Sequence, residues 1–136
     1  MATRPTTVIR TLTIDECWHR LEDHPAKVGR LGTGGPSPGI LPVNYIVDGR
    51  SVVFHTAAGK KLAAVDQRER VVFEVDHIEP GSARGWSVLL RGFAEHVTDP
   101  DEIHRLERLP LQPWDRTPKT DFIRFTTHLV SGREIA

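Results

Sequence analysis

The sequence predicts a mainly β fold: an antiparallel sheet closed into a small barrel, with helices packed outside it. Three observations carry that reading. Six runs rich in β-branched and aromatic residues recur along the 136 residues. Only two or three short helical stretches separate them, so the strand–helix–strand alternation of a doubly wound parallel sheet is missing. Two of the runs are joined by Asp48-Gly49, a strong hairpin signal, with Arg50 completing the link. Length and composition place all of this in one domain, 1–136, with a helix over about 13–24 and the barrel over about 27–135.

The helix TIDECWHRLEDH opens on Thr13 as cap, with Glu16 at the spacing of a capping box. Ile14, Cys17, Trp18 and Leu21 follow at i, i+3, i+4 and i+7 as one apolar stripe, and Pro25 stops the run. KVGRLGT (27–33) is the first predicted strand, and GGPSPG is a turn-rich break. ILPVNYIV (40–47) and SVVFHT (51–56) form the hairpin. Pro42 lies inside the first of these, which predicts an edge, a bulge, or a place where something other than a strand meets the backbone. A short helix starts at about Lys60 in KKLAAVDQ. RVVFEVDHI (70–78) and GWSVLLRGFAEHVT (85–98) are two further strands. Asp99 caps a helix over 99–109, with Pro100 in its first turn and acids at the positive end of its dipole. After the proline-rich loop PLQPWDRTPKTD, DFIRFTTHLV (121–130) is the sixth strand, followed by SGREIA.

Composition excludes several classes of function. Lys+Arg and Asp+Glu are both 18, so no overall field draws nucleic acid or an anionic membrane surface. No apolar run approaches the roughly 20 residues that cross a bilayer, and MATRPTTVIR lacks the apolar core of a signal peptide. The single cysteine, Cys17, excludes an intramolecular disulfide and suits a reducing compartment, so a cytoplasmic location is expected. On its helical stripe Cys17 reads as a small buried hydrophobe rather than a reactive thiol. Of the seven histidines, His19 and His24 stand five apart, about 140° around a helix, and do not face one ion. No HExxH or Cys-x-x-Cys is present, and no metal site is assigned. Gly32-Thr33-Gly34-Gly35 runs into Pro-Ser-Pro, which breaks both phosphate-loop fingerprints, and no Gly-x-Ser-x-Gly elbow supports a hydrolase.

FHTAAGKKLAAV (54–65) is different. A strand ending at Thr56 and turning at Gly59 brings free backbone N–H groups to the start of a helix, where an anion is favoured. Lys60 and Lys61 in the first turn are unfavourable against the helix dipole unless an anion sits nearby. The plainer account, two solvated surface lysines, stands beside that one. Gly85-Trp86-Ser87-Val88 can wall a pocket for a flat aromatic ligand, or Trp86 can be a core or interface residue. Leu41-Pro42-Val43-Asn44-Tyr45 offers Asn44 as donor and acceptor beside the interrupting proline, or is an ordinary edge strand.

In order and spacing, VGRLGT, LPVNY, FHTAAGKKLAAV, VVFEVDHIE, GWSVLLRGFAEHVTD and SGREI, spanning roughly residues 28–135, resemble the flavin-binding pyridoxamine 5'-phosphate oxidase-like family. The resemblance is to its small actinobacterial-type branch, related to the nitroimidazole-resistance proteins. It implies a six-stranded split barrel that forms a homodimer with flavin at the subunit interface, and an FMN-dependent oxidoreductase acting on a small substrate. It implies phosphate contacts from Thr56, Ala57 and Lys61 with Lys60 beside them, and Pro42, Val43 and Asn44 against the isoalloxazine ring. Trp86 and Ser87 would bound the site, and Tyr45 and His55 come next as pocket residues. No catalytic side chain is implied, because the flavin carries the redox step. Arg124, His128 and Arg133 lack the spacing with which true oxidases clamp pyridoxamine phosphate. The alternatives are a reductase using the deazaflavin F420, its acidic tail meeting Arg68, Arg70 and Arg84, and a flavin-binding module without turnover.

Overall fold

The computed structural model describes residues 8–57, 63–110 and 119–136. In chain order the elements are β1 (Ile9–Thr11), α1 (Ile14–Asp23), β2 (Val28–Thr33), β3 (Gly39–Asp48), β4 (Ser51–Ala57), α2 (Ala63–Asp66), β5 (Val71–Ile78), β6 (Gly85–His96), α3 (Pro100–Glu107) and β7 (Lys119–Ile135). The sheet order is β1-β7-β4-β3-β2-β5-β6, and β6 pairs back onto β7. Six strands therefore close a barrel, with every pairing antiparallel and β1 added at the rim. Among the described residues no helix is long and apolar enough to cross a membrane.

Local chemistry explains the corners. Gly49 takes φ +62°, the positive value needed at the first central position of the two-residue turn that pairs Asp48 with Ser51. The Thr13 hydroxyl accepts from Glu16 N at 3.1 Å, and Thr13 N donates back to Glu16 Oε1 at 3.1 Å, completing the capping box. Asp99 caps α3 by accepting from Asp101 N at 3.3 Å, with Pro100 in the first turn.

Strand alternation sends Val43 and Tyr45 of β3, Val52 and Phe54 of β4, Phe73 and Val75 of β5, Val88 and Leu90 of β6 and Phe125 of β7 into one buried core. Each contributes about 1.5–3 kcal/mol by leaving water, most of it offset by lost chain entropy. Cys17, Trp18 and Leu21 belong to the same core, so α1 closes one end of the barrel. The Tyr45 hydroxyl donates to Leu21 O at 2.7 Å and ties that lid to β3. Close approach of α1 to β7 depends on Gly132, where a Cβ would lie 2.6 Å from Cys17 Sγ. A second cluster, Ile46, Val53, Phe122 and Leu106, sits under α3 on the outer side of β3, β4 and β7.

Four expectations need correcting. A seventh strand, β1, pairs Ile9, Arg10 and Thr11 with Ile135, Glu134 and Arg133. It is three residues long and depends wholly on the distant chain end. The last strand runs on to Ile135 rather than stopping at Val130, because β6 pairs with β7 through Gly132 and beyond. Ile14 does not share the buried stripe: it is 61% exposed, since the first turn of α1 projects past the barrel wall. Helix α3 ends at Glu107, with Arg108 as its cap.

Candidate functional site

The barrel wall opens where β3 and β4 part. They pair only over Tyr45–Asp48 and Ser51–Phe54. Beyond that point β4 stays with β7, setting His55 opposite Phe122 and Thr56 opposite Asp121, and its register shifts between Thr56 and Ala57. β3 instead continues along β2, with Asn44 opposite Val28 and Pro42 opposite Arg30. Tyr45 N donates to Lys27 O at 2.9 Å, so the backbone groups of Tyr45 face the β2 side. Because these directions alternate along a strand, Pro42 and Asn44 turn theirs toward the side that β4 has left. The missing N–H of Pro42 thus costs no bond to β2, and the proline stands where the strand is locally an edge.

The outer surface of this half of the barrel is one continuous face. Val43 and Tyr45 point into the core, so Pro42 and Asn44 lie on the outside. The rung through Pro42 continues across Arg30, Glu74 and Leu89, and the next residues outward on β5 and β6 are Asp76 and Ser87. A groove of about 480 Å³ lies on this face, with Glu74, Asp76, Ser87 and Arg133 on its floor and Ile9, Ile78 and Ile135 at its rim. Arg30 reaches both carboxylates, Glu74 at 3.3 Å and Asp76 at 3.4 Å. Burial, then the hydrogen bond and like charge of Asp76, push the Glu74 carboxyl up to about 7, while Arg30 opposes the shift. Among the described residues no group of three or more His, Cys, Asp or Glu is placed to hold a metal ion.

A family model described as pyridoxamine 5'-phosphate oxidase matches residues 13–134. The chain belongs to that family. A Corynebacterium glutamicum protein carrying the provisional name pyridoxamine 5'-phosphate oxidase superposes with a TM-score of 0.81 at 33% identity, covering 93% of this chain and 92% of its own. The structure of an FAD-binding protein from Mycobacterium smegmatis gives a TM-score of 0.77 at 32% identity over 92% of this chain and 97% of its own. An uncharacterized Mycobacterium tuberculosis protein is 34% identical over 103 residues, 72% of this chain and 67% of its own length.

Against that family background, the residues singled out by sequence fall into two groups. Pro42, Asn44, His55 and the backbone of Thr56 and Ala57 collect at the opened seam. The His55 ring packs edge-on against Phe122 with centroids 4.2 Å apart, beneath the side covered by α3. Val43 and Tyr45 occupy the same stretch of β3, but their side chains belong to the core, where burial pushes the Tyr45 phenol up. Lys60 and Lys61, with Ala58 and Gly59, lie outside the described residues.

Trp86 and Ser87 form the second group, separated from β3 by β2 and β5 within one chain. Trp86 is half-buried against His24, with ring centroids 5.6 Å apart, and lines the groove together with Ser87. His24 is a structural link: its Nδ1 accepts from Ala26 N at 3.1 Å and Lys27 N at 3.2 Å, which leaves Nε2–H to donate to Asp76 O at 3.0 Å.

The three residues weighed as a substrate-phosphate clamp do not converge. Arg124 is engaged by Asp48 at 3.0 Å and by Glu102 and Ser51 at 2.5 Å each. His128 is exposed beside Phe93, and Arg133 lies in the outer groove. Sequence reading passed over Arg30, Glu74 and Asp76. The signal was there in VVFEVDHIE, where acids alternate with Phe73 and Val75 at the strand period and must face away from the core.

Proposed function

We propose that this chain binds a flavin, FMN in the first instance, at the seam between β3 and β4, and serves as an oxidoreductase for a small substrate. The observation that carries this reading is the parting of the two strands at Asn44 and His55, with Pro42 at the locally open edge. A planar ring with a polar rim needs a flat backbone edge offering both donors and acceptors. The C=O of Pro42 and the N–H and C=O of Asn44 are directed that way. The register shifts between Thr56 and Ala57 at the end of β4, and the segment carrying Lys60 and Lys61 follows in sequence. There Thr56, Ala57 and Lys61 would hold the phosphate, with Lys60 beside them. Of the two lysines, Lys61 is the one assigned to the anion.

When bound, the flavin supplies the redox step by taking up or giving a hydride. The protein's part is to bind, orient and shield. No side chain is required as acid or base, which accords with a seam lined by backbone, Asn44 and His55. Ser87 lies on the outer face of β6, with β2 and β5 between it and β3, and in this reading a second copy of the chain brings Trp86 and Ser87 to the ring. The site is then completed between two subunits.

The FAD-binding relative from Mycobacterium smegmatis makes FAD the rival to FMN. F420 is less well served. Arg68 and Arg70 stand before β5 and Arg84 just before β6, whose Gly85 pairs with Ile78 at the far end of β5. A strand of eight residues separates the two groups by about 26 Å, so they do not line one exit for an acidic tail.

The test is to purify the protein, record its visible spectrum, and identify by mass the cofactor released on denaturation. Yellow protein, or apoprotein that takes up FMN or FAD stoichiometrically, is the expected result. Colourless protein that takes up neither would overturn the reading. Binding without turnover of nicotinamide, quinone or nitroaromatic partners would make the chain a flavin-carrying module instead.

A further inference from the structure

We propose that two-fold self-association of this chain through the outer face of β5, β6 and β7 is governed by protonation of Glu74 beside Asp76 and Arg30. The inference rests on the two-subunit flavin site proposed above and adds a regulation to it. The face combines three features. Ile9, Ile78 and Ile135 stand 61%, 72% and 39% exposed around the groove, an apolar rim that water alone covers poorly. The same groove holds acids, Glu74 and Asp76, and bases, Arg84 and Arg133, in equal number. An isologous contact must be self-complementary, and a patch carrying both signs lets a two-fold axis set the bases of one chain against the acids of the other. This selects a second copy of the chain over a partner of one charge sign. The face is also continuous with Pro42 and Asn44, so a copy seated there approaches the seam.

The carboxylate pair makes that contact sensitive to pH. Glu74 and Asp76 are i and i+2 on one strand and point the same way. Arg30 on β2 meets both, Ser87 and Leu89 are their neutral neighbours on β6, and Arg133 on β7 and Arg84 on the preceding loop share the groove. Further along the outer face of β6 stand Arg91, opposite Val72, and Glu95, opposite Arg124. Burial, then the hydrogen bond and like charge of Asp76, leave Glu74 holding a proton near neutrality, with Arg30 opposing them. An arginine brought by the second copy favours the charged form, so the proton leaves on association. The sign follows: the associated state binds fewer protons, and raising the pH strengthens it. If each Glu74 falls from about 7 to its ordinary value of 4.5 on association, the dimer dissociation constant weakens about tenfold per chain between pH 8 and pH 6. For the symmetric pair that is about a hundredfold.

Sedimentation velocity on the full chain, with and without added FMN, at pH 6, 7 and 8 reads this directly. The expected result is tighter association at pH 8, with Glu74→Gln flattening the dependence to within about threefold. Glu74 is on the surface of the sheet, and far-UV circular dichroism checks that the variant is folded. A dimer whose affinity does not move with pH sinks the inference and leaves the two-subunit site standing. So does a slope that survives in Glu74→Gln, since the histidines would then carry it. A monomer at every pH and FMN concentration sinks both.

Discussion

Replacing Gly132 with alanine tests how tightly the α1 lid is seated on the barrel. The added Cβ would lie 2.6 Å from Cys17 Sγ and 3.1 Å from both Leu12 Cδ1 and Ser87 O. Ordinary contacts between such atoms are about 3.5–4 Å, so α1 or β7 must shift by up to about 1 Å. Neither side gives easily: Cys17 is 1% exposed and Leu12 5%. One methyl forced into a packed core costs about 1–3 kcal/mol, and relief of glycine's chain entropy returns about 0.5–1 kcal/mol. The net loss is about 1–2 kcal/mol. With an unfolding entropy of about 2.1 cal/mol/K per residue, that lowers Tm by about 3–7 °C for a chain of this length. Thermal melts and urea titrations followed by circular dichroism measure it.

The second arm is Cys17→Ala, which removes the clashing sulfur and alone costs about 1 kcal/mol as a small cavity. In that background Gly132→Ala should be nearly neutral, giving a coupling of about 1–2 kcal/mol between the two sites. Wild-type stability in Gly132→Ala, or strictly additive losses in the double variant, would show that the lid does not depend on this approach.

Two further predictions concern charge. Lys61→Ala should weaken flavin binding about tenfold, equivalent to about 1.4 kcal/mol, whereas Lys60→Ala should change it by less than about threefold. Fluorescence quenching on titration with FMN reads both, and equal effects would mean that the phosphate has been placed wrongly. Acid should destabilise the fold through carboxylates held by arginine. Hydrogen bonds from Arg105, then Arg124, hold Asp48 below the usual carboxylate range, and Arg105 does the same for Glu102. Folded values below unfolded ones mean that the stabilisation is full above the unfolded pKa and is lost as pH falls through the folded one. Tm should therefore drop from about pH 5 downward, less steeply in Asp48→Asn. A Tm that rises on acidification would contradict the assignment.

What could be read from sequence was what is decided within a few residues. Thr13 and Glu16 close their capping box inside one turn, Gly49 supplies its φ without help, and Asp99-Pro100 starts α3 locally. β1 was unreadable for the opposite reason: Ile9 finds its partner in Ile135, and nothing near Ile9 announces it. The run of β7 past Val130 was equally hidden, since Gly132 sits where it makes room for α1, a helix more than a hundred residues earlier. The exposed Ile14 shows the same limit, since helical periodicity orients a side chain without fixing how far the barrel wall reaches.

The candidate site divides along that same line. Pro42 marked the open edge in advance, because a strand that keeps a proline must have a side with no bond to lose. That Asn44 and Ser87 share one surface depends on register carried across β2 and β5. The core fixes that register: the pairing that puts Phe73 and Val75 inside is the one that puts Glu74 and Asp76 outside. A slip of one residue in β5 would bury both carboxylates and expose a phenylalanine. The packing of the barrel and the chemistry of its outer face are therefore one constraint. A substitution on β5 that loosens the core at Phe73 should disturb the carboxylate pair as well, though it touches neither acid.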